Sequence, residues 1–189
     1  MRLLRPRVRA LGPPSSRLIA LVDGDLSGYR RETGDDGRAR FMPVGEGPVF
    51  EVASRIEKRF LGRTEIAVFR ADLGPSLAEE SIVALRHSGR LKRTGVTAVL
   101  VEGGESGQRV AAALAADRSI SEVLMPLDFT RFEVICGPAG CRAEVELMGA
   151  NHVAIALPPI RSYVHLYPDQ SKALTRGLEE VRRVVVDTL

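Results

Sequence analysis

Along residues 50–60, apolar Phe50, Val52, Ile56 and Phe60 interleave with charged Glu51, Arg55, Glu57 and Arg59. A period of two marks a strand with one covered face. The same rhythm returns between residues 131 and 147. There Phe132, Val134 and Cys136 alternate with Arg131 and Glu133, and Cys141, Ala143, Val145 and Leu147 alternate with Arg142, Glu144 and Glu146. Both apolar sets fall on one side if Gly137–Gly140 close a hairpin, which sets the two cysteines opposite each other. "TEIAVFRADL" mixes apolar residues at both parities and predicts a strand covered on both faces. "SIVALRH" and "GVTAVLVEG" predict a hairpin with the polar "SGRLKRT" at its tip. "GYRRETGDDGRARFMPV" predicts a surface hairpin turning at Gly34-Asp35-Asp36-Gly37. "NHVAIAL" and "RSYVHLY" predict two more short strands on either side of Pro158-Pro159.

Helical spacing takes over elsewhere. Leu18, Leu21, Val22 and Leu26 predict a helix over 16–26, capped by Ser15 or Ser16 and ended near Gly28. Ser106 caps an alanine-rich helix running through Ala116. Ser119 to Glu122 has the spacing of a capping box for a second short helix that Pro126 ends. From Pro168 or Asp169 onward, Leu174, Leu178, Val181 and Val185 form an apolar stripe that must dock on something. Hairpins in succession with helices at the flanks predict an α+β fold: a largely antiparallel sheet, flanking helices, and a C-terminal amphipathic helix packed on the sheet.

Composition narrows the setting. A chain of 189 residues, 44% hydrophobic, suffices for one core, so residues 15–189 are read as a single α+β domain. Residues 1–14, with Arg2, Arg5, Arg7 and Arg9 ahead of Pro13-Pro14, are read as a flexible basic arm. Seven arginines against Asp23 and Asp25 give residues 1–31 a net charge of +5, whereas the whole chain carries +3. No aromatic residue is interleaved with those arginines, so no sequence-specific nucleic-acid recognition is expected. No apolar run approaches the roughly 18 residues of a membrane span. Proline and arginine interrupt the N-terminal stretch before it could serve as a signal peptide, which makes the cytoplasm the expected compartment.

Candidate chemistry is sparse. Cys136, Cys141, His87, His152 and His165 lack the spacing of metal ligands, and no metal, cofactor or catalytic residue is assigned. The cysteines are read as reduced packing residues, although opposed strand positions also allow a bond. "EGGESGQRV" precedes a helix but lacks the ending of a phosphate loop. Alternation places Lys58 on the same side as Phe50, Val52, Ile56 and Phe60, and Arg70 with Ile66 and Val68, core-facing sides where a cation must be paired, reach water or meet an anion. Tyr163 and His165 share one face of a short strand and can line a pocket. These four are the candidate ligand-binding residues. Glu133, Glu144 and Glu146 lie beside Arg131 and Arg142 and are read as cross-strand ion pairs.

"MPLDFTRFEV", a hairpin, "HVAIALPPIRSYVHL" and the terminal amphipathic helix together resemble a bacterial family of uncharacterised proteins over most of residues 16–186. The resemblance implies no activity, cofactor or catalytic residue. The function expected is therefore a non-catalytic cytoplasmic domain that binds a small amphipathic or anionic ligand between the sheet and the terminal helix. Two alternatives stand beside it: an interaction module acting through a sheet edge or the basic arm, and an acid/base enzyme using His152 or His165.

Overall fold

Alternation at the level of residues becomes one nine-stranded antiparallel sheet. The computed structural model describes residues 11–33, 38–89, 93–156 and 158–189, with the backbone alone at Arg59. In chain order the elements are α1 (Ser16–Asp25), β1 (Tyr29–Thr33), β2 (Ala39–Pro43), β3 (Phe50–Arg59), β4 (Gly62–Asp72), β5 (Ser81–Ser88) and β6 (Gly95–Glu102). They continue with α2 (Glu105–Ala116), α3 (Arg118–Leu124), β7 (Phe129–Gly137), β8 (Gly140–Ile155), β9 (Ile160–Val164) and α4 (Pro168–Thr188). The strands lie in the order β1-β2-β3-β4-β8-β7-β5-β6, with β9 beside the second half of β8. The β7–β8 hairpin therefore inserts between β4 and β5.

One face of the sheet is apolar and carries the helices. Phe50, Val52, Phe69, Phe132, Val134, Val145 and Leu147 are buried in a single core with Leu18 and Val22 of α1, Val110 and Leu114 of α2, and Leu124 of α3. The predicted stripe on α4 closes this core, and Leu174, Leu178, Val181 and Val185 are fully buried. The apolar stripe of α4 is thus part of the core beneath the sheet.

Several local expectations change. The two strands predicted on either side of residue 149 are one sixteen-residue strand, β8. It survives because a bulge absorbs the irregularity: its pairing with β4 shifts between Ile66–Asn151 and Val68–Glu146, and Ala150 adopts φ 60°. The Asn151 side chain stitches the gap. Its amide donates to the carbonyls of Leu147 (2.8 Å) and Met148 (3.1 Å), and its Oδ1 accepts from the Ala67 N–H (3.3 Å). The ladder bonds broken by the bulge are replaced rather than lost.

Helix α3 is capped by Asp117, not Ser119; the Asp117 Oδ1 accepts from the N–H groups of Ser119 and Ile120. Helix α2 starts at Glu105 after Gly104, without a side-chain cap. Cys136 and Cys141 are joined as a disulfide instead of packing as thiols, because the hairpin register makes them direct partners with Cα atoms 4.0 Å apart. Of the expected arm, residues 1–10 lie outside the described residues. Gly12 exchanges both backbone hydrogen bonds with Ser54, at 2.9 and 3.0 Å. The Gly34–Gly37 turn and residues 90–92 of the second hairpin tip also lie outside them.

If α4 completes the core, Leu178→Ala should cost about 3 kcal/mol through lost burial and a residual cavity. Chemical denaturation measures this directly, and a change below about 1 kcal/mol would remove α4 from the core.

Candidate functional site

Antiparallel register brings cations together at one end of the helix-bearing face. Lys58 is opposite Arg63 in the β3–β4 pair, Arg63 is opposite Ala154 in β4–β8, and Ala154 is opposite Arg161 in β8–β9. One row across four strands thus carries three exposed positive side chains. Like charges directly opposed on a sheet are unfavourable, so the row requires an explanation. The next row inward holds Ile56, Glu65, His152 and Tyr163. Helix α1 stops above that row: the Ser15 N–H and Oγ both donate to the Glu65 carboxylate at 2.7 Å, while the same Oγ accepts from the Leu18 N–H.

Beyond this cap the face is open. A cleft of about 600 Å³ is lined by Ser15, Arg17, Lys58, Gly62, Arg63, Glu65, His152, Ala154, Ile155, Ala156 and Arg161. Its floor depends on Gly62, since a Cβ there would come within 2.6 Å of the Ala154 carbonyl oxygen. Four cations therefore face one carboxylate that Ser15 already engages. Among the described residues, none of Arg17, Lys58, Arg63 and Arg161 forms an ion pair. Alanine and isoleucine walls make the remainder apolar.

His152 lies under the cleft at 8% exposure, and its Nε2 is buried without a hydrogen-bond partner among the described residues. Burial holds its imidazole below the ordinary value. Arg17, Arg161 and Arg63 push in the same direction, and Glu65 opposes them. A neutral imidazole wedged among cations is a proton acceptor in waiting. Any anion entering the cleft would reverse the local field and favour its protonation.

The four residues selected from the sequence fall in three places. Lys58 lines the cleft. Tyr163 and His165 come together on Asp25, the last residue of α1. Its carboxylate accepts from the Tyr163 hydroxyl (2.8 Å) and the Leu166 N–H (2.8 Å) and meets His165 Nδ1 at 2.9 Å. This is a clasp holding α1 to β9 and the following turn. Burial, followed by the bond to Asp25, raises the Tyr163 pKa well above its ordinary value.

Arg70 lies on the opposite face of the sheet, 3.3 Å from Glu144. There it joins a network in which Arg131 bridges Glu133, Glu144 and Glu146, and Arg55 grips Glu146 through two bonds of 2.8 and 2.7 Å. The cross-strand pairing read from the sequence is therefore present. Arg17, Arg63, Arg161 and His152 were not selected as ligand residues. Their signal was positional: Lys58 and Arg63 are equidistant from the Phe60-Leu61 turn, so a tight hairpin there opposes two cations.

Among the described residues no helix is long and apolar enough to cross a membrane, and no group of three or more histidine, cysteine, aspartate or glutamate side chains is placed to hold a metal. The family described as "Protein of unknown function (DUF3156)" matches residues 24–185, and the chain belongs to it. Comparison with curated proteins and with solved structures found no match.

Asp25→Ala should destabilise the fold by about 2 kcal/mol, because it strands the Tyr163 hydroxyl and the Leu166 N–H. Thermal or denaturant unfolding reads the loss. Stability equal to the native chain would show that α1 is held by its apolar face alone.

Proposed function

We propose that this DUF3156 chain is a non-catalytic domain that binds a small amphipathic anion in the cleft between the N-terminus of α1 and the β4–β8–β9 end of the sheet. The observation that carries the reading is the unpaired row of Lys58, Arg63 and Arg161, joined by Arg17 across the opening. On the opposite face of the same strands, by contrast, Arg55, Arg70 and Arg131 all meet glutamates. A carboxylate or phosphate head would supply the missing negative charge, while Ala154, Ile155 and Ala156 offer contact for an apolar body. The volume suits a ligand of a few dozen heavy atoms or fewer. The reading differs from the sequence-based expectation in using the first helix rather than the last.

The direct test is calorimetry with dodecanoate against dodecanol. The carboxylate should bind and the alcohol should not. Each of Lys58→Ala and Arg63→Ala should weaken binding by about five-fold, the scale of one partly exposed charge contact. Equal binding of acid and alcohol, or full affinity in the double variant, would defeat the proposal.

Proton linkage gives a second readout. His152 faces Arg17 on α1, Arg63 and Glu65 on β4, and Arg161 on β9. It is neutral at neutral pH, and its folded pKa lies below that of the unfolded chain. Falling pH therefore costs the empty protein stability from about pH 6.5 downward, until the folded group also protonates. A bound anion raises this pKa, so dodecanoate affinity should increase as pH falls from 7 through the histidine range, and His152→Gln should flatten that dependence.

A cytoplasmic setting is part of the proposal. Alkylation of Cys136 and Cys141 in intact cells tests it: free thiols fit a reducing compartment, and a retained bond argues for an oxidising one.

A further inference from the structure

We propose that the two hairpin tips beside the cleft seat the protein on an anionic lipid bilayer. The β3–β4 turn presents Phe60 at 100% exposure and Leu61 at 49%. The end of β8 runs alongside, tied to it by the Ala156 N–H donating to the Leu61 carbonyl at 2.8 Å. Ile155 and Ile160, direct partners across β8–β9, are 37% and 46% exposed. A single exposed apolar side chain needs no explanation, but four at the ends of two bonded, adjoining hairpins form a patch.

The surroundings of that patch choose its occupant. The row next to it carries Lys58, Arg63 and Arg161 without an ion-pair partner among the described residues, so the apolar tips are flanked by positive charge along the helix-bearing face. A protein partner would need a concave apolar pocket edged with carboxylates. An anionic bilayer offers both features over a continuous plane. Apolar side chains enter the boundary between headgroups and acyl chains, and cations stay level with the phosphates. Gly62, Ile155 and Ala156 line the cleft at the base of the tips, so its mouth opens at headgroup depth in this pose. The inference goes beyond the cleft reading and does not rest on it, because the tips can dock whether or not the cleft takes up a free anion.

The test is co-sedimentation of the full chain with phosphatidylcholine vesicles, with and without phosphatidylglycerol. Binding should require phosphatidylglycerol and weaken with added salt. The double variant Phe60→Ser, Leu61→Ser should lose about ten-fold in partitioning, since it removes the inserted apolar area. Each of Lys58→Ala and Arg161→Ala should lose about five-fold. The exposure of Phe60 and Leu61 leaves the serine variant folded, and its unchanged dodecanoate affinity would separate this inference from the cleft reading. Several results would overturn the proposal: no vesicle binding, binding unaffected by the serine variant, or a dimer in solution that this variant dissociates. Loss of binding when Arg2, Arg5, Arg7 and Arg9 are replaced by serine would also overturn it, by assigning the membrane contact to the N-terminal segment.

Discussion

Strands β4 and β8 are longer than the helix α1 that covers one end of them, and the cleft follows from that mismatch. β8 has sixteen residues and β4 eleven, against ten for α1. At about 3.3 Å per strand residue and 1.5 Å per helical residue, one α1 length covers less than a third of β8. The sheet can extend so far because the bulge at Ala150 lets β8 serve different partners along its length. Its first half pairs with β7 and its second half with β9, while β4 accompanies both. Where α1 ends, at Ser15 over Glu65, the helical cover ends too. Whatever occupies the next row cannot be core.

The uncovered face obeys a different rule. Glu144 and Glu146 point away from the helices, yet they are 3% and 1% exposed because arginines from β3, β4, β7 and β8 close over them. Burial alone would raise the Glu146 pKa, but the Arg55 and Arg131 guanidiniums hold it below its ordinary value. Such a network is weak evidence for net stability, because desolvation offsets much of the attraction. Its stronger effect is on register. Sliding β8 by one residue would turn both glutamates into the apolar core and send Val145 and Leu147 outward, so every slipped pairing strands buried charge. Arg70 belongs to this arrangement, which explains how a cation on the same side as Ile66 and Val68 is accommodated.

Alternation made most of the strands legible, and the stripe at Leu174, Leu178, Val181 and Val185 made the last helix legible. In both cases the signal is local: a side chain's face follows from its parity or its helical angle. The continuity of β8 was hidden because Gly149 and Ala150 interrupt the pattern, and only the Asn151 side chain, bonding across to β4, carries the strand through. The disulfide was legible as geometry but was set aside on grounds of compartment. The cleft was least legible, since it is a property of four strands in register. Lys58 was recognised as anomalous on β3 alone, whereas Arg63, Arg161 and Arg17 become anomalous only when pairing places them beside it. His152 read as the start of a separate short strand, and only pairing across the bulge places it beside Glu65.

The two ends of the charge distribution can now be compared. A chain that surrounds Glu144 with three arginines has no shortage of carboxylates with which to quiet Lys58, Arg63 and Arg161. Position 154, between two of those cations, holds alanine, and the nearest carboxylate, Glu65, is committed to the α1 cap. At this end three cations share one row without an ion pair among the described residues, beside the buried His152 imidazole and exposed apolar side chains. Departures from local consistency concentrate where a fold serves something besides its own stability. The occupant proposed for this end, negative charge on an apolar body, would answer all three departures at once.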